Sequence, residues 1–199
     1  MPDQQTLDVY NAKAEEYANM PESGVHHTIE HFVSLLPTQS LVLDLGCGHG
    51  VNTAYFRDQG MQIEAWDLST AMQQVAKRQF DIDVQLLGFD DLNSDSVYDG
   101  ICANYSLLHM QPAQVPSYLE AMSKALKPNG VLHLGMKLGD STERDSLGRF
   151  YAYYPEQQLI DWLAQLGLQI EYSHQSIFAG LAGNPQTGIA MQARKIKPG

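Results

Sequence analysis

The stretch "LVLDLGCGHGVNT", residues 41–53, constrains this chain more than any other. An apolar run carrying one acid, Asp44, passes straight into Gly46, Cys47, Gly48, His49 and Gly50, and a helix-like pattern follows. Glycines at such a junction allow positive φ and leave no side chain between the main chain and a ligand, so the turn reads as a place where a ligand lies against backbone. The dinucleotide fingerprint G-x-G-x-x-G is met at Gly46 and Gly48 but fails at its third glycine, where Val51 stands. That failure disfavours a nicotinamide oxidoreductase.

Strand-like and helix-like runs alternate on both sides of the turn. "LVLDLG" precedes a helical stretch at about residues 51–59, "QIEAWD" one at about 69–79, "DVQLLG" a loop, "YDGICAN" a helix at about 113–126, and then comes "GVLHLGMK". This alternation predicts an α/β fold, a parallel sheet with helices on both faces. Two helices are expected ahead of it. One places Leu7, Tyr10, Ala14 and Tyr17 on a single face, and the other runs over about residues 25–36 and stops before Pro37. Residues 138–155 are polar and too long for an ordinary connection, and they are expected to form a lid or substrate wall. A helix at about residues 155–166 then leads into "LQIEYSHQ" and "TGIAMQARKI", a closing hairpin.

Composition removes several classes of function. The 199 residues suit one domain, residues 1–199. The 12 basic and 23 acidic residues give a formal charge of −11, which repels phosphate backbones and disfavours nucleic acid as a partner. No apolar run is long enough for a membrane span, and the acidic N-terminal stretch is unlike a secretory signal. The two cysteines, Cys47 and Cys102, are expected to be reduced, and the chain is expected in the cytoplasm.

The acid at the end of the first strand changes the ligand. Asp44 stands where a dinucleotide fold carries an apolar residue, and a carboxylate there suits a cationic amino group. A second acid, Asp67 in "IEAWDLS", follows Gly46 by about 20 residues, the spacing at which a ribose diol needs an acceptor. A cofactor with an ammonium, a sulfonium and an adenosine satisfies both acids, and S-adenosylmethionine has all three.

With "LDLGCGHG", "AWDLS", "YDGICANYSLLH" and "LKPNGVLHL" in this order, the chain resembles the class I S-adenosylmethionine-dependent methyltransferases over roughly residues 10–162. In "SLLH" and "GRFYAYY" it is similar to a bacterial group of small single-domain members. The resemblance implies a Rossmann-like, seven-stranded, mostly parallel sheet with the last strand antiparallel and helices on both faces. It also implies that residues 1–37 fold over the cofactor. Carried over residue by residue, it gives Asp44 and the backbone of Gly46, Cys47 and Gly48 to the methionine portion, Asp67 to the ribose and Leu68 to the adenine face. Gly88 and Phe89 stand where the commoner motif is Gly-Asp-Ala, with Asp90 as a substitute carboxylate. Ala103, Asn104 and Tyr105 fall along the methionine chain, and Tyr17 over the cofactor.

Acceptor-side candidates are fewer. His109, within one or two helical turns of Tyr105, is a candidate general base or else a packed structural group. Tyr10 shares a helix face with Tyr17, as acceptor contact or as ordinary core. Arg149, with Phe150, Tyr151, Tyr153 and Tyr154, would bind a carboxylate or a planar group, or Arg149 would pair with Glu143 or Asp145 and order its own loop. His27 and His31 have a metal-binding spacing beside His26, but no third ligand is evident nearby, so no metal is expected. Asn104-Tyr105 lacks the prolines of the enzymes that methylate base amines. The expected acceptor is a small molecule and the expected assembly a monomer or homodimer. A protein side chain as acceptor, or a protein that binds S-adenosylmethionine or S-adenosylhomocysteine without catalysis, are the alternatives.

Overall fold

A computed structural model describes residues 3–20 and 25–196; residues 1–2, 21–24 and 197–199 of the expected 1–199 domain, the 21–24 stretch within the expected 1–37 cover included, lie outside the described part. Two helices come first, α1 (Gln4–Ala18) and α2 (His27–Ser34). Then follow β1 (Leu41–Leu45), α3 (Val51–Asp58), β2 (Gln62–Trp66), α4 (Thr70–Phe80), β3 (Val84–Gln85), β4 (Tyr98–Asn104), α5 (Val115–Ala125) and β5 (Leu126–Lys137). The C-terminal third adds β6 (Thr142–Arg144), β7 (Phe150–Ala152), α6 (Glu156–Gln165), β8 (Leu168–Ala179) and β9 (Pro185–Lys195).

Seven strands form one sheet in the order β3-β2-β1-β4-β5-β9-β8. Pairings among β1 to β5 are parallel, and β9 enters antiparallel to both β5 and β8. The Rossmann-like sheet with its last strand reversed is therefore as expected. Alternation along the strands divides the core into two layers. Leu43, Leu45, Ile101, Ala103, Leu132 and Leu134 face the side of α5 and α6, packing with Leu119, Met122, Leu159 and Leu163. Val42, Cys102 and Val131 face the other side, against Ile29 and Phe32 of α2 and Phe56 of α3. Phe32 and Phe56 are fully buried, each contributing on the order of 2 kcal/mol through transfer from water. The same parity sends Asp44 to the α2/α3 layer, where Thr53 of α3 meets it.

Three local expectations change. β3 is two residues long, because Leu87 N–H bonds back to Gln85 O at 2.9 Å and bends the edge toward a short helical turn at Phe89–Asp91. α2 begins only at His27, since His26 is its cap: Nδ1 accepts the Thr28 N–H at 3.3 Å. The polar segment at 138–155 contains a hairpin, β6–β7, where a loop was expected. Asp145 closes its turn by accepting from the N–H groups of Leu147 and Arg149, both at 3.0 Å. The hairpin docks on the start of α1 through the Arg144–Asp3 ion pair at 2.7 Å and the Phe150 N–H to Thr6 Oγ1 bond at 2.8 Å.

Candidate functional site

The three glycines of the opening motif all have positive φ: Gly46 at 78°, Gly48 at 56° and Gly50 at 84°. At Gly46 a Cβ would lie 2.3 Å from Ser106 Cβ, so the turn and the end of β4 touch only because a side chain is missing. At Gly48 a Cβ would meet nothing within 4 Å, and the residue opens onto a cavity. Gly50 caps α3, so the following position needs no glycine and Val51 begins the helix.

Two adjoining cavities lie along the carboxyl ends of β1, β2 and β4 and share Tyr17, Gly46, Gly48, Asn104 and Tyr105. The first, about 130 Å³, takes in Asp67, Leu68, Gly88, Phe89, Tyr10 and His109. The second, about 410 Å³, takes in Asp44, Cys47, His26, His174 and Phe178. Asp67 Oδ2 accepts the Gly48 N–H and Oδ1 the Ser69 N–H, both at 2.8 Å. Burial raises its carboxyl above the ordinary range, and these bonds oppose the shift. Asp44 is 2% exposed. Burial pushes its carboxyl up to about 7, and Thr53 Oγ1, donating at 2.6 Å, pulls it the other way. Its partners, the Thr53 hydroxyl and the Cys102 thiol, are both neutral.

α1 covers this region. Asn11 Oδ1 accepts from Ser69 Oγ at 2.8 Å and from the Ala71 N–H at 3.2 Å, fixing the helix over the start of α4. Tyr10 and Tyr17 stand edge to face, with centroids 5.8 Å apart. The Tyr10 hydroxyl lies 2.9 Å from His109 Nε2 and accepts from Arg149 Nη1 at 3.2 Å. His109 Nδ1 is 2.6 Å from Phe150 O, which can only accept, so Nδ1 carries the proton and Nε2 accepts from Tyr10. Burial, ahead of all other causes, lowers the His109 imidazole to about 4, so it is neutral at pH 7.

Tyr105 has φ of 54°, a left-handed conformation rare for an aromatic residue, and its ring packs edge-on to Phe178 with centroids 4.9 Å apart. This conformation costs about 1–2 kcal/mol and sets Tyr105 in the lining of both cavities.

Not every candidate reaches the cavities. Asp90 is exposed and accepts from Tyr118 Oη at 2.7 Å, and it does not line the first cavity, whereas Gly88 and Phe89 do. Arg149 is 2% exposed and pairs with Asp145 at 2.7 Å, which is the loop-ordering alternative; it stands behind Tyr10. Tyr151 packs on His109 at 4.6 Å between centroids. Tyr153 donates to Glu143 at 2.6 Å and lies with the β6–β7 hairpin. His31 stacks on Tyr172 with centroids 4.1 Å apart, and its Nδ1 engages Gln192 Oε1.

Two residues of the fifth strand were missed in the sequence. Lys137 is 8% exposed, with Nζ 3.9 Å from the Tyr151 ring centre, and burial lowers its ammonium to about 8. His133, fully buried, places Nε2 3.2 Å from Asn104 Oδ1 at the junction of the cavities. The "GVLHLGMK" strand shows both as polar residues in an apolar run, the one signal that could have found them.

The methyltransferase domain family matches residues 18–173 of this chain. An uncharacterized methyltransferase of Staphylococcus carnosus is 26% identical over 71% of this chain and 76% of its own length. The malonyl-[acyl-carrier protein] O-methyltransferase of Pectobacterium atrosepticum is 36% identical over 52% of this chain and 42% of its own length. In fold, the chain is similar to the Burkholderia thailandensis 1,6-didemethyltoxoflavin-N1-methyltransferase, solved with 1,6-didemethyltoxoflavin and S-adenosylhomocysteine. The TM-score is 0.75 and the identity 20%, over 98% of this chain and 88% of the other. With the family matched across most of its length, the chain belongs to the class I S-adenosylmethionine-dependent methyltransferases.

Proposed function

We propose that this protein transfers a methyl group from S-adenosylmethionine to a small-molecule acceptor, and that the two adjoining cavities hold the cofactor and that acceptor. The observation that carries the reading is the pairing of two acids with one glycine turn: Asp67 bonded to the Gly48 N–H, and Asp44 buried beside it.

The residues fit the cofactor. Asp44 has no cation beside it among the described residues, and its carboxyl at about 7 gains a natural counter-ion in the ammonium of the methionine portion. The open side of Gly48 leaves room for a chain lying against backbone. Each Asp67 oxygen has a lone pair left after its backbone bond, enough for the ribose hydroxyls. Leu68, Gly88 and Phe89 line the first cavity and give the adenine an apolar bed. Bound there, the sulfonium supplies an electrophilic methyl carbon.

What remains for the protein is orientation and the exclusion of water. Tyr17, at the junction of both cavities, covers the meeting point from α1. Asn104 and Tyr105 line it from below, held by His133 and by the strained end of β4. Neutral His109 keeps its Nε2 on the Tyr10 hydroxyl, so the two act as one polar pair at the acceptor end of the first cavity. A histidine lowered to about 4 is a weak base at neutral pH, and the pair orients an acceptor instead of deprotonating it. Cavities of about 130 and 410 Å³ suit a small acceptor, and the charge of −11 weighs against nucleic acid. Cys47 and Cys102 are both free thiols, which suits a reducing cytoplasm.

The test is a product assay for S-adenosylhomocysteine over a panel of small acids, amines, phenols and thiols. Turnover on a panel member supports the reading; binding of the cofactor with no turnover on any of them, or on extracted small metabolites, argues for binding without catalysis.

A further inference from the structure

Two adjacent histidines and a third far along the chain meet beside the second cavity, which His26 and His174 line. His26 caps α2, His27 begins it, and His174 comes from β8, paired in register with Ala190 of β9. The ring centroids of His26 and His27 are 4.0 Å apart, those of His27 and His174 4.5 Å, and those of His26 and His174 6.0 Å. One ring nitrogen from each lies within 4.8 Å of the others. Ligands on a tetrahedral zinc ion with bonds of about 2.0–2.1 Å stand roughly 3.3 Å apart, so small side-chain rotations close the site.

Each ring has a nitrogen free to bind an ion. His26 Nδ1 is engaged with Thr28, which leaves Nε2 for another partner. Among the described residues, the rings of His27 and His174 form neither hydrogen bonds nor ion pairs. The acidic surface of the chain favours a cation over an anion as the occupant.

We propose that His26, His27 and His174 form a binding site for a zinc-type divalent metal ion, whose open coordination position faces the second cavity and binds an oxygen or sulfur atom of the acceptor. Three protein ligands leave the fourth position of such an ion to a water or substrate atom. His26 and His174 line the same cavity as Asp44, Asn104 and Tyr105, so an atom held there shares the space of the cofactor's methionine end. The acceptor class then narrows to molecules carrying a carboxylate, hydroxyl or thiol. This narrowing rests on the methyl-transfer reading; the metal site itself does not.

The experiment uses the full chain, free of any affinity tag and stripped with chelator. Cobalt(II) is titrated by visible absorption and zinc(II) by calorimetry into the wild type, His174→Gln and the double variant His26→Gln/His27→Gln. S-adenosylhomocysteine titration and thermal melting are measured alongside. The expected result is one ion per chain with tetrahedral cobalt bands, at least tenfold weaker binding in each variant, and S-adenosylhomocysteine affinity and melting preserved within about twofold and a few degrees. Adding acetate, phenol or 2-mercaptoethanol to the cobalt form is expected to shift its bands, and no shift with any of them contradicts the open position. No stoichiometric binding, or equal binding in the variants, overturns the site, and with S-adenosylhomocysteine still bound it leaves the methyl-transfer reading intact. Metal bound without S-adenosylhomocysteine sinks that reading and spares the site.

Discussion

The carboxylate of Asp67 holds the backbone N–H of Gly48 at 2.8 Å, so the residue suited to a ribose also sets the shape of the turn that faces it. In the proposed reading, one side chain couples cofactor recognition to the conformation of the glycine motif. Gly46 and Cys47 N–H groups bond in turn to Trp66 O, the residue ahead of Asp67, at 2.8 and 3.0 Å. The end of β2 thus governs the whole turn after β1.

Two glycine substitutions should separate folding from binding. Gly46→Ala drives a Cβ to within 2.3 Å of Ser106 Cβ and is expected to lose about 2–4 kcal/mol of stability, read by chemical denaturation. Gly48→Ala meets no atom within 4 Å, is expected to cost about 1 kcal/mol through its positive φ, and should weaken S-adenosylhomocysteine at least tenfold by narrowing the cavity. Equal stability losses with equal affinity would contradict this assignment.

Cofactor affinity should depend on pH through Asp44. Its carboxyl at about 7 in the free protein must be charged to meet an ammonium, so below that pH binding has to expel a proton. Affinity is expected to fall up to tenfold per pH unit on going from about 7 to 5, with proton release visible when calorimetry is repeated in buffers of different ionisation enthalpy. Asp44→Asn should bind more weakly and without this slope.

Removing the Tyr10 hydroxyl isolates the acceptor-side pair. Tyr10→Phe takes the donor from buried His109 Nε2 and is expected to cost about 1–2 kcal/mol, a melting shift of several degrees. Cofactor affinity should hold within a few-fold while kcat/KM for the acceptor drops at least tenfold. An unchanged acceptor KM and kcat would remove the pair from the site.

His133 should appear in the acid stability profile. Burial lowers its imidazole to about 3, whereas the unfolded chain protonates near its ordinary 6.5. Between these values the unfolded state binds the extra proton, so this group's contribution is present above 6.5 and is lost as pH falls toward 3, at up to about 1.4 kcal/mol per pH unit. Asp44 acts in the opposite direction over part of that range, so the comparison is made against His133→Gln, whose stability should decline less steeply on the acid side.

The glycine turn and both acids were legible in the sequence because each depends on a few neighbouring residues at a strand end. The reversed last strand followed from family resemblance, not from periodicity, since "TGIAMQARKI" reads the same in either direction of pairing. The hairpin at β6–β7 was hidden in a polar segment, because its pairing is fixed by Asp145 in the turn and by docking on α1. Arg149 could not be divided between acceptor and Asp145 without the turn that sets them 2.7 Å apart. His174 was invisible beside His26 and His27 because only the β8–β9 register carries it across the sheet to α2.

Calorimetric titration of S-adenosylhomocysteine into the wild type and into Asp67→Ala is the most direct test of the central claim. The account expects stoichiometric binding to the wild type and a loss of about 100-fold or more in the variant, which gives up two charge-assisted backbone bonds and the ribose acceptor together. No binding to the wild type, or equal binding to the variant, would contradict it.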